Sequence, residues 1–315
     1  MHPPHESDAF VYASLGQLMA LERRVPGLGF FARQPRASIL AGRHASRLRG
    51  RGLDFDQLRR YQSGDDLRHL DWRASLRYGS PIVRTFSEER DRPALLLVDQ
   101  RMSMFFGSRR CLKSVTAAEL GALAAWMVLQ GGDRVGGIVF GDRRTDRLRP
   151  LRSRKQVEAL CAAIVRHNRT LSAEQPHVEA ESRLDEVLQD CLAMAGHDHL
   201  ICIVSDFVGA GPRTLQLLRK LAAHNDVIAM QVYDPLALEL PVAGRERVCQ
   251  GEWQLELDIG RRQVHQLLGE FLSGRLKEVA RLLRRSRVPL LMFSSGEDAL
   301  EQLRREMGRL TEVPR

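Results

Sequence analysis

Two short stretches join acids and small hydroxyls to the ends of apolar runs. Asp99-Gln100-Arg101-Met102-Ser103 follows Pro93-Ala-Leu-Leu-Leu-Val, and Ser205-Asp206-Phe207 follows Leu200-Ile-Cys-Ile-Val. Carboxylates and hydroxyls are hard oxygen donors, and two such ends meeting in one crevice suit Mg²⁺, which keeps several waters and takes few protein ligands. An ion held that way has open positions that a partner's acidic side chain can fill, giving adhesion without reaction. A metal-dependent hydrolase using Asp99 and Asp206 is the alternative, but it needs a positioned base or a fuller metal shell. No GxxxxGK[ST], HExxH or GxSxG motif occurs, which removes the commonest phosphate-loop, metalloprotease and serine-hydrolase readings.

The elements that would carry these residues follow from hydrophobic periodicity. Short apolar runs at 93–99, 134–140, 200–205, 227–232 and 288–293 read as buried parallel strands, with 145–151 as an edge strand. Helical patterns fill 112–129, 156–167, 182–194, 214–223, 262–285 and 297–310, and Pro212 suits a first helical turn. The alternation predicts an α/β protein with a doubly wound, mostly parallel sheet. Ligands of such sheets bind beyond the carboxyl ends of the strands, where the strand order reverses. An amphipathic helix over 8–24, with Ser7 as N-cap, opens a small helical and loop-rich N-terminal segment spanning 1–91. The sheet domain is expected over 92–315, with an antiparallel hairpin inserted near 245–257.

Composition narrows the function. With 315 residues and 43% apolar content, the chain can bury a full core without staples. Its five cysteines form no CxxC or Cys/His cluster, so reduced core packing in a reducing compartment is expected. Of 48 basic residues only four are lysine, at 113, 155, 220 and 277, and the arginines are scattered among acids. Scattered charge with only 6% aromatics argues against a nucleic-acid tracker. Residues 1–8 lack a signal-peptide layout, and no run reaches about 18 apolar residues, so a cytoplasmic protein without membrane insertion is expected.

The densest polar stretch is Arg60-Tyr61-Gln62-Ser63-Gly64-Asp65-Asp66-Leu67-Arg68-His69-Leu70-Asp71-Trp72. Asp65, Asp66, Arg68 and Asp71 alternate in sign, which favours local ion pairs, while Phe55, Tyr61 and Trp72 look like anchors. Two readings stand: a salt-bridged structural brace, and a docking surface for a partner.

This stretch resembles the signature of the bacterial domain-of-unknown-function 58 family, Gly-Asp-Asp-x-Arg-x-Ile-Asp-Trp preceded by Arg-x-Tyr. The likeness extends through Val83-Arg84, Ser205-Asp206-Phe207 and Asp234-Pro235. It implies a von Willebrand factor A-like domain behind a short signature region, and a MoxR-type AAA+ ATPase as partner. It also implies a metal-ion-dependent adhesion site, Asp-x-Ser-x-Ser plus a later Thr and Asp. Asp99 and Ser103 match its first and last members, Asp206 the later acid, and Ser182 is the nearest candidate for the Thr. Arg101 replaces the middle Ser, and a guanidinium there would repel the ion or pair with Asp99 or Asp206 in its stead. The implied function is that of a non-catalytic adaptor or scaffold.

Overall fold

The computed structural model describes residues 8–26, 53–62, 65, 67–88, 92–174, 183–240, 245–250, 253–258 and 262–311. In chain order come helices α1 (Asp8–Val11) and α2 (Leu15–Ala20), then strand β1 (Leu53–Arg60), α3 (Trp72–Tyr78) and β2 (Ile82–Glu88). The sheet region follows with β3 (Pro93–Asp99), α4 (Lys113–Gln130), β4 (Arg134–Phe140), β5 (Thr145–Leu151), α5 (Arg154–Asn168) and α6 (Arg183–Met194). After these run β6 (Leu200–Ser205), α7 (Pro212–Ala222), β7 (Asp226–Tyr233), β8 (Arg245–Gln250), β9 (Trp253–Asp258), α8 (Arg262–Ser286), β10 (Leu290–Ser294) and α9 (Ala299–Thr311).

Six strands form one sheet in the order β10-β7-β6-β3-β4-β5, with only β5 antiparallel. Strand β3 is central and pairs with both β4 and β6, so the order reverses beside it. This is the doubly wound α/β architecture that the strand–helix alternation predicts. Because side chains alternate across a strand, Leu96 and Val98 enter the core under α4 and α5, whereas Leu95 and Leu97 enter the core under α6, α7 and α8. Helix α4 approaches closely because Gly121 has no Cβ; one placed there would lie 2.8 Å from Val98 Cγ2.

Two expectations need correction. The single helix over 8–24 is broken, because Ser14 takes an extended backbone and caps α2, exchanging hydrogen bonds with Gln17. The chain then tightens into a 3-10 turn over Leu21–Arg24. The grouping of the opening residues also changes, while a break still falls between Asp91 and Arg92. The compact units are Met1–Gln34 with Arg92–Arg315, and Pro35–Asp91. The opening helices belong with the sheet because their groups close onto α4 and α5: Trp126 Nε1 donates to the Leu18 carbonyl at 3.1 Å, and the Ala13 amide donates to Asn168 Oδ1 at 2.7 Å. Ser7 and Ser182 lie outside the described residues.

Strands β8 and β9 pair antiparallel as a separate two-stranded sheet. Cys111, Cys161, Cys191 and Cys202 are buried and unbridged, and burial pushes the thiols of Cys161, Cys191 and Cys202 up to about 12. No described helix is long and apolar enough to cross a membrane.

Candidate functional site

Register brings the two acid-bearing ends together. Val98 lies opposite Val204 in the β3–β6 pair, so Asp99 and Asp206 emerge at the same end of adjacent strands, where the sheet order reverses. Arg101 turns back onto them. Its backbone amide donates to Asp99 Oδ1 at 2.9 Å, its Nε lies 3.0 and 3.1 Å from the two Asp99 oxygens, and its Nη2 donates to Asp99 Oδ2 at 2.7 Å. The same Nη2 stands 3.7 Å from Asp206 Oδ1, and Nη1 donates to the Val208 carbonyl at 3.1 Å. The guanidinium therefore bridges the two strand ends, with its carbon 5.7 Å from the centroid of the Phe140 ring.

Lys113, the first residue of α4, completes the neutralisation by donating from Nζ to Asp206 Oδ2 at 2.8 Å. Ser103 Oγ donates to Asp206 Oδ1 at 3.3 Å, and Ser205 Oγ donates to Asp99 Oδ2 at 2.6 Å. Two carboxylates thus face one guanidinium and one ammonium, and Asp99, Arg101 and Asp206 are 0, 3 and 7% exposed. Burial alone would raise the Asp206 pKa, but the charges of Lys113 and Arg101 and the bonds from Lys113 and the Val208 amide hold it below the usual carboxylate value. Burial would likewise lower the Arg101 pKa, and the charge and hydrogen bonds of Asp99 outweigh that and raise it.

Further contacts lock the loops of this site. Asp142 Oδ2 accepts from the Met102 amide at 2.8 Å. Gln100 donates to the Ser114 carbonyl and accepts from Asn168 Nδ2, both at 2.9 Å. A third acid, Asp234 at the end of β7, accepts from the Ser108 amide and hydroxyl, the Ser295 hydroxyl and the Leu236 amide. Sequence reasoning missed Lys113, Asp142 and Asp234. Lys113 left a signal: a cation at a helix N-terminus opposes the helix dipole, so it needed an acid nearby. Asp234 follows an apolar run just as Asp99 does, but it entered the sequence reading only through the family likeness of Asp234-Pro235.

The strand ends open onto apolar space. A cavity of about 100 Å³ is lined by Lys113, Asp206, Gln231, Leu236 and Leu276, among others. It shares Arg275 and Val279 with a groove of about 600 Å³ between α8 and Phe207–Gly211.

In the Pro35–Asp91 unit, Arg59 pairs with Asp65 through bonds of 2.9 and 2.6 Å, and the Gln62 amide donates to Asp65 at 2.8 Å. Asp71 caps α3 by accepting from the Ala74 amide at 3.0 Å, and also accepts from Arg84 Nε at 2.8 Å. The Arg59 bond above all lowers the Asp65 pKa, and the Ala74 amide with Arg84 lowers that of Asp71. Arg60 and Arg68 are exposed and Tyr61 is half-buried. Gly64 and Asp66 lie outside the described residues, as does the side chain of Phe55. Trp72 is no anchor: it is 71% exposed, with Leu76 at 85% one turn on and Tyr78 at 66%. The N-terminal turn of α3 holds itself through the Asp71 cap, which frees the Trp72 ring from packing duty.

Comparison with known proteins finds the model of the family described as "Protein of unknown function DUF58" matching residues 57–274. The uncharacterized proteins Rv1480 of Mycobacterium tuberculosis and Mb1516 of Mycobacterium bovis are each 30% identical over 208 residues, which is 65% of this chain. The match spans 63% of the length of each of those relatives. Among solved structures, a conserved hypothetical protein BatB from Bacteroides thetaiotaomicron aligns with a TM-score of 0.40 and 12% identity over 70% of this chain and all of that one. An aerotolerance-related membrane protein from Bacteroides fragilis aligns at 0.39 and 11%, over 69% of this chain and 99% of that one.

Proposed function

We propose, because the chain belongs to the DUF58 family and its strand-end acids are neutralised from within, that it is a non-catalytic adaptor. It binds partner proteins at the crevice beyond β3 and β6, and the family signature implies a MoxR-type AAA+ ATPase among them. The observation that carries this reading is the guanidinium of Arg101, seated between Asp99 and Asp206.

An Mg²⁺ ion would need the oxygens that Arg101, Lys113 and Ser205 already occupy, and two positive charges stand where it would bind. The donor set does not fit that ion. We read the crevice as a metal-free descendant of the von Willebrand factor A type of site, a kinship that the sheet order supports. A hydrolase reading loses ground for the same reason: a carboxylate held ionised by a lysine and an arginine is a poor proton acceptor, and the Ser103 hydroxyl and Lys113 ammonium beside it are both bonded to it.

Binding needs an accessible surface, and each compact unit offers one of its own. Phe106, 38% exposed, borders the cavity at Asp206, and α3 displays Trp72 and Leu76 one turn apart, beside the exposed Arg73 and Arg77. Trp, Tyr and Arg are the residues most often dominant in protein interfaces. Four unbridged buried thiols support a reducing, cytoplasmic setting.

Co-expression of the tagged chain with the ATPase, followed by capture, tests the proposal. The wild-type chain should retain the ATPase, and Phe106→Glu or Trp72→Ala should reduce capture several-fold at unchanged melting temperature. Capture indifferent to both substitutions, or turnover of a substrate by the purified chain alone, would refute the adaptor.

A further inference from the structure

We infer that α3 is an anchor helix, and that its occupant is a partner protein offering an apolar groove with an acidic rim. This rests on the adaptor reading and says what surface that partner must bring. Leu76 and Trp72 are the two most exposed large apolar side chains among the described residues. At 3.6 residues per turn they stand one above the other on a single helix face. That i, i+4 spacing is the one by which an amphipathic helix seats its anchors in a groove. Apolar side chains scattered singly over a surface need no cover; a stacked pair, with Tyr78 exposed at the end of the same helix, is a patch.

Charge selects the occupant. Arg73 and Arg77 each follow an anchor by one residue, are exposed, and make no ion pair among the described residues. No acid lies on α3 itself. The acid that caps it, Asp71, is answered by Arg84 at 2.8 Å, and Asp65 is answered by Arg59 at 2.6 Å. The excess holds for the whole Pro35–Asp91 unit, whose sequence carries twelve arginines and no lysine against eight acids. A second copy docked through the same face would set Arg73 and Arg77 against themselves, which repels it. An anionic membrane would answer the charge, but Trp72 and Leu76 together carry about as much hydrocarbon as one myristoyl chain, which alone binds a bilayer only marginally. Carboxylates on the rim of a protein groove match the guanidinium fork in two bonds each, and Trp beside Arg is the pairing that dominates many protein interfaces.

The helix is also held ready. The Asp71 amide donates to the Ile82 carbonyl at 2.8 Å, and Ser75 Oγ donates to the Asp71 carbonyl at 2.7 Å while accepting from the Ile82 amide at 2.9 Å. Gly79, at φ 64°, ends the helix in the left-handed region. All of these bonds use the backbone, Asp71 and Ser75, so none calls on Trp72, Arg73, Leu76 or Arg77. A face ordered in advance loses less freedom on binding.

The test places the photocrosslinker p-benzoylphenylalanine at position 76 of the full chain and irradiates it in lysate of the organism it comes from. The same group at Leu151, exposed on β5, is the control. Adducts at position 76 should map by mass spectrometry to apolar residues of a partner protein that are flanked by Asp or Glu. Arg73→Glu/Arg77→Glu should cut them at least tenfold at unchanged melting temperature, and Arg73→Lys/Arg77→Lys should preserve most of them. No adduct beyond the control, adducts indifferent to charge reversal, or adducts within this chain overturn the inference, the last in favour of a second copy or an internal contact. Co-sedimentation of the wild type with phosphatidylglycerol–phosphatidylcholine vesicles, lost in Trp72→Ala, overturns it in favour of lipid. Capture of the ATPase tells the failures apart. Equal capture by the wild type and by Arg73→Glu/Arg77→Glu contradicts the anchor helix alone; absent capture contradicts the adaptor, and the position-76 adducts still decide α3.

Discussion

Arg101 decides what the strand-end acids can do. Replacing one partner of a buried pair leaves the other charge uncompensated, at a cost of about 3–5 kcal/mol. Asp99→Ala should therefore lower stability by that amount in urea titration, because Asp99 is wholly buried and Arg101 nearly so. The double variant Asp99→Ala/Arg101→Met should recover most of the loss; equal instability of single and double variants would show that the pair is not the cause. The pairing also sets a pH window. The Asp206 pKa is depressed in the folded chain, so its stabilising contribution is complete above the unfolded value, about 3.9, and is lost as pH falls through the lower folded value. Lys113→Met removes a charge that depresses it, so acid unfolding should begin at higher pH than in the wild type. The chance that Arg101 pairs with Asp99 or Asp206 was legible in the sequence, because a guanidinium two residues from a carboxylate has few other outlets. The role of Lys113 was not, since only the fold brings the start of α4 to Asp206.

Elements were legible where one force dominated. Buried strands such as β3 and β6 read clearly because both faces are covered and the apolar run is continuous. The break before α2 was not, because the side-chain pattern continues across it while Ser14 diverts the backbone into a cap. The signature stretch shows the same division of labour within two residues. Asp71 caps α3 and pairs with Arg84, whereas Trp72 beside it is exposed. Asp71→Ala should speed amide exchange at Ala74 and lower the melting temperature, and Trp72→Ala should leave both unchanged. An equal loss from the two substitutions would mean that the ring braces the structure and is not free to dock a partner.

Across the molecule, the strand–helix alternation disclosed a doubly wound sheet and hence where its crevice must lie. The pairing of the opening helices with α4 and α5, across more than a hundred residues of chain, left no mark in local patterning, and so those helices were grouped with the signature segment instead of the sheet. The sheet places acids at the end of β3, after β6 and at the end of β7, and each is met by donors from the protein itself. Under the adaptor proposal, a crevice so balanced holds a shape without an ion. Titration calorimetry with Mg²⁺ and Mn²⁺ on the wild type and on Arg101→Ser tests that directly. The wild type should give no binding heat and Arg101→Ser should bind a divalent ion through the released oxygens of Asp99 and Asp206. Saturable ion binding by the wild type would contradict it.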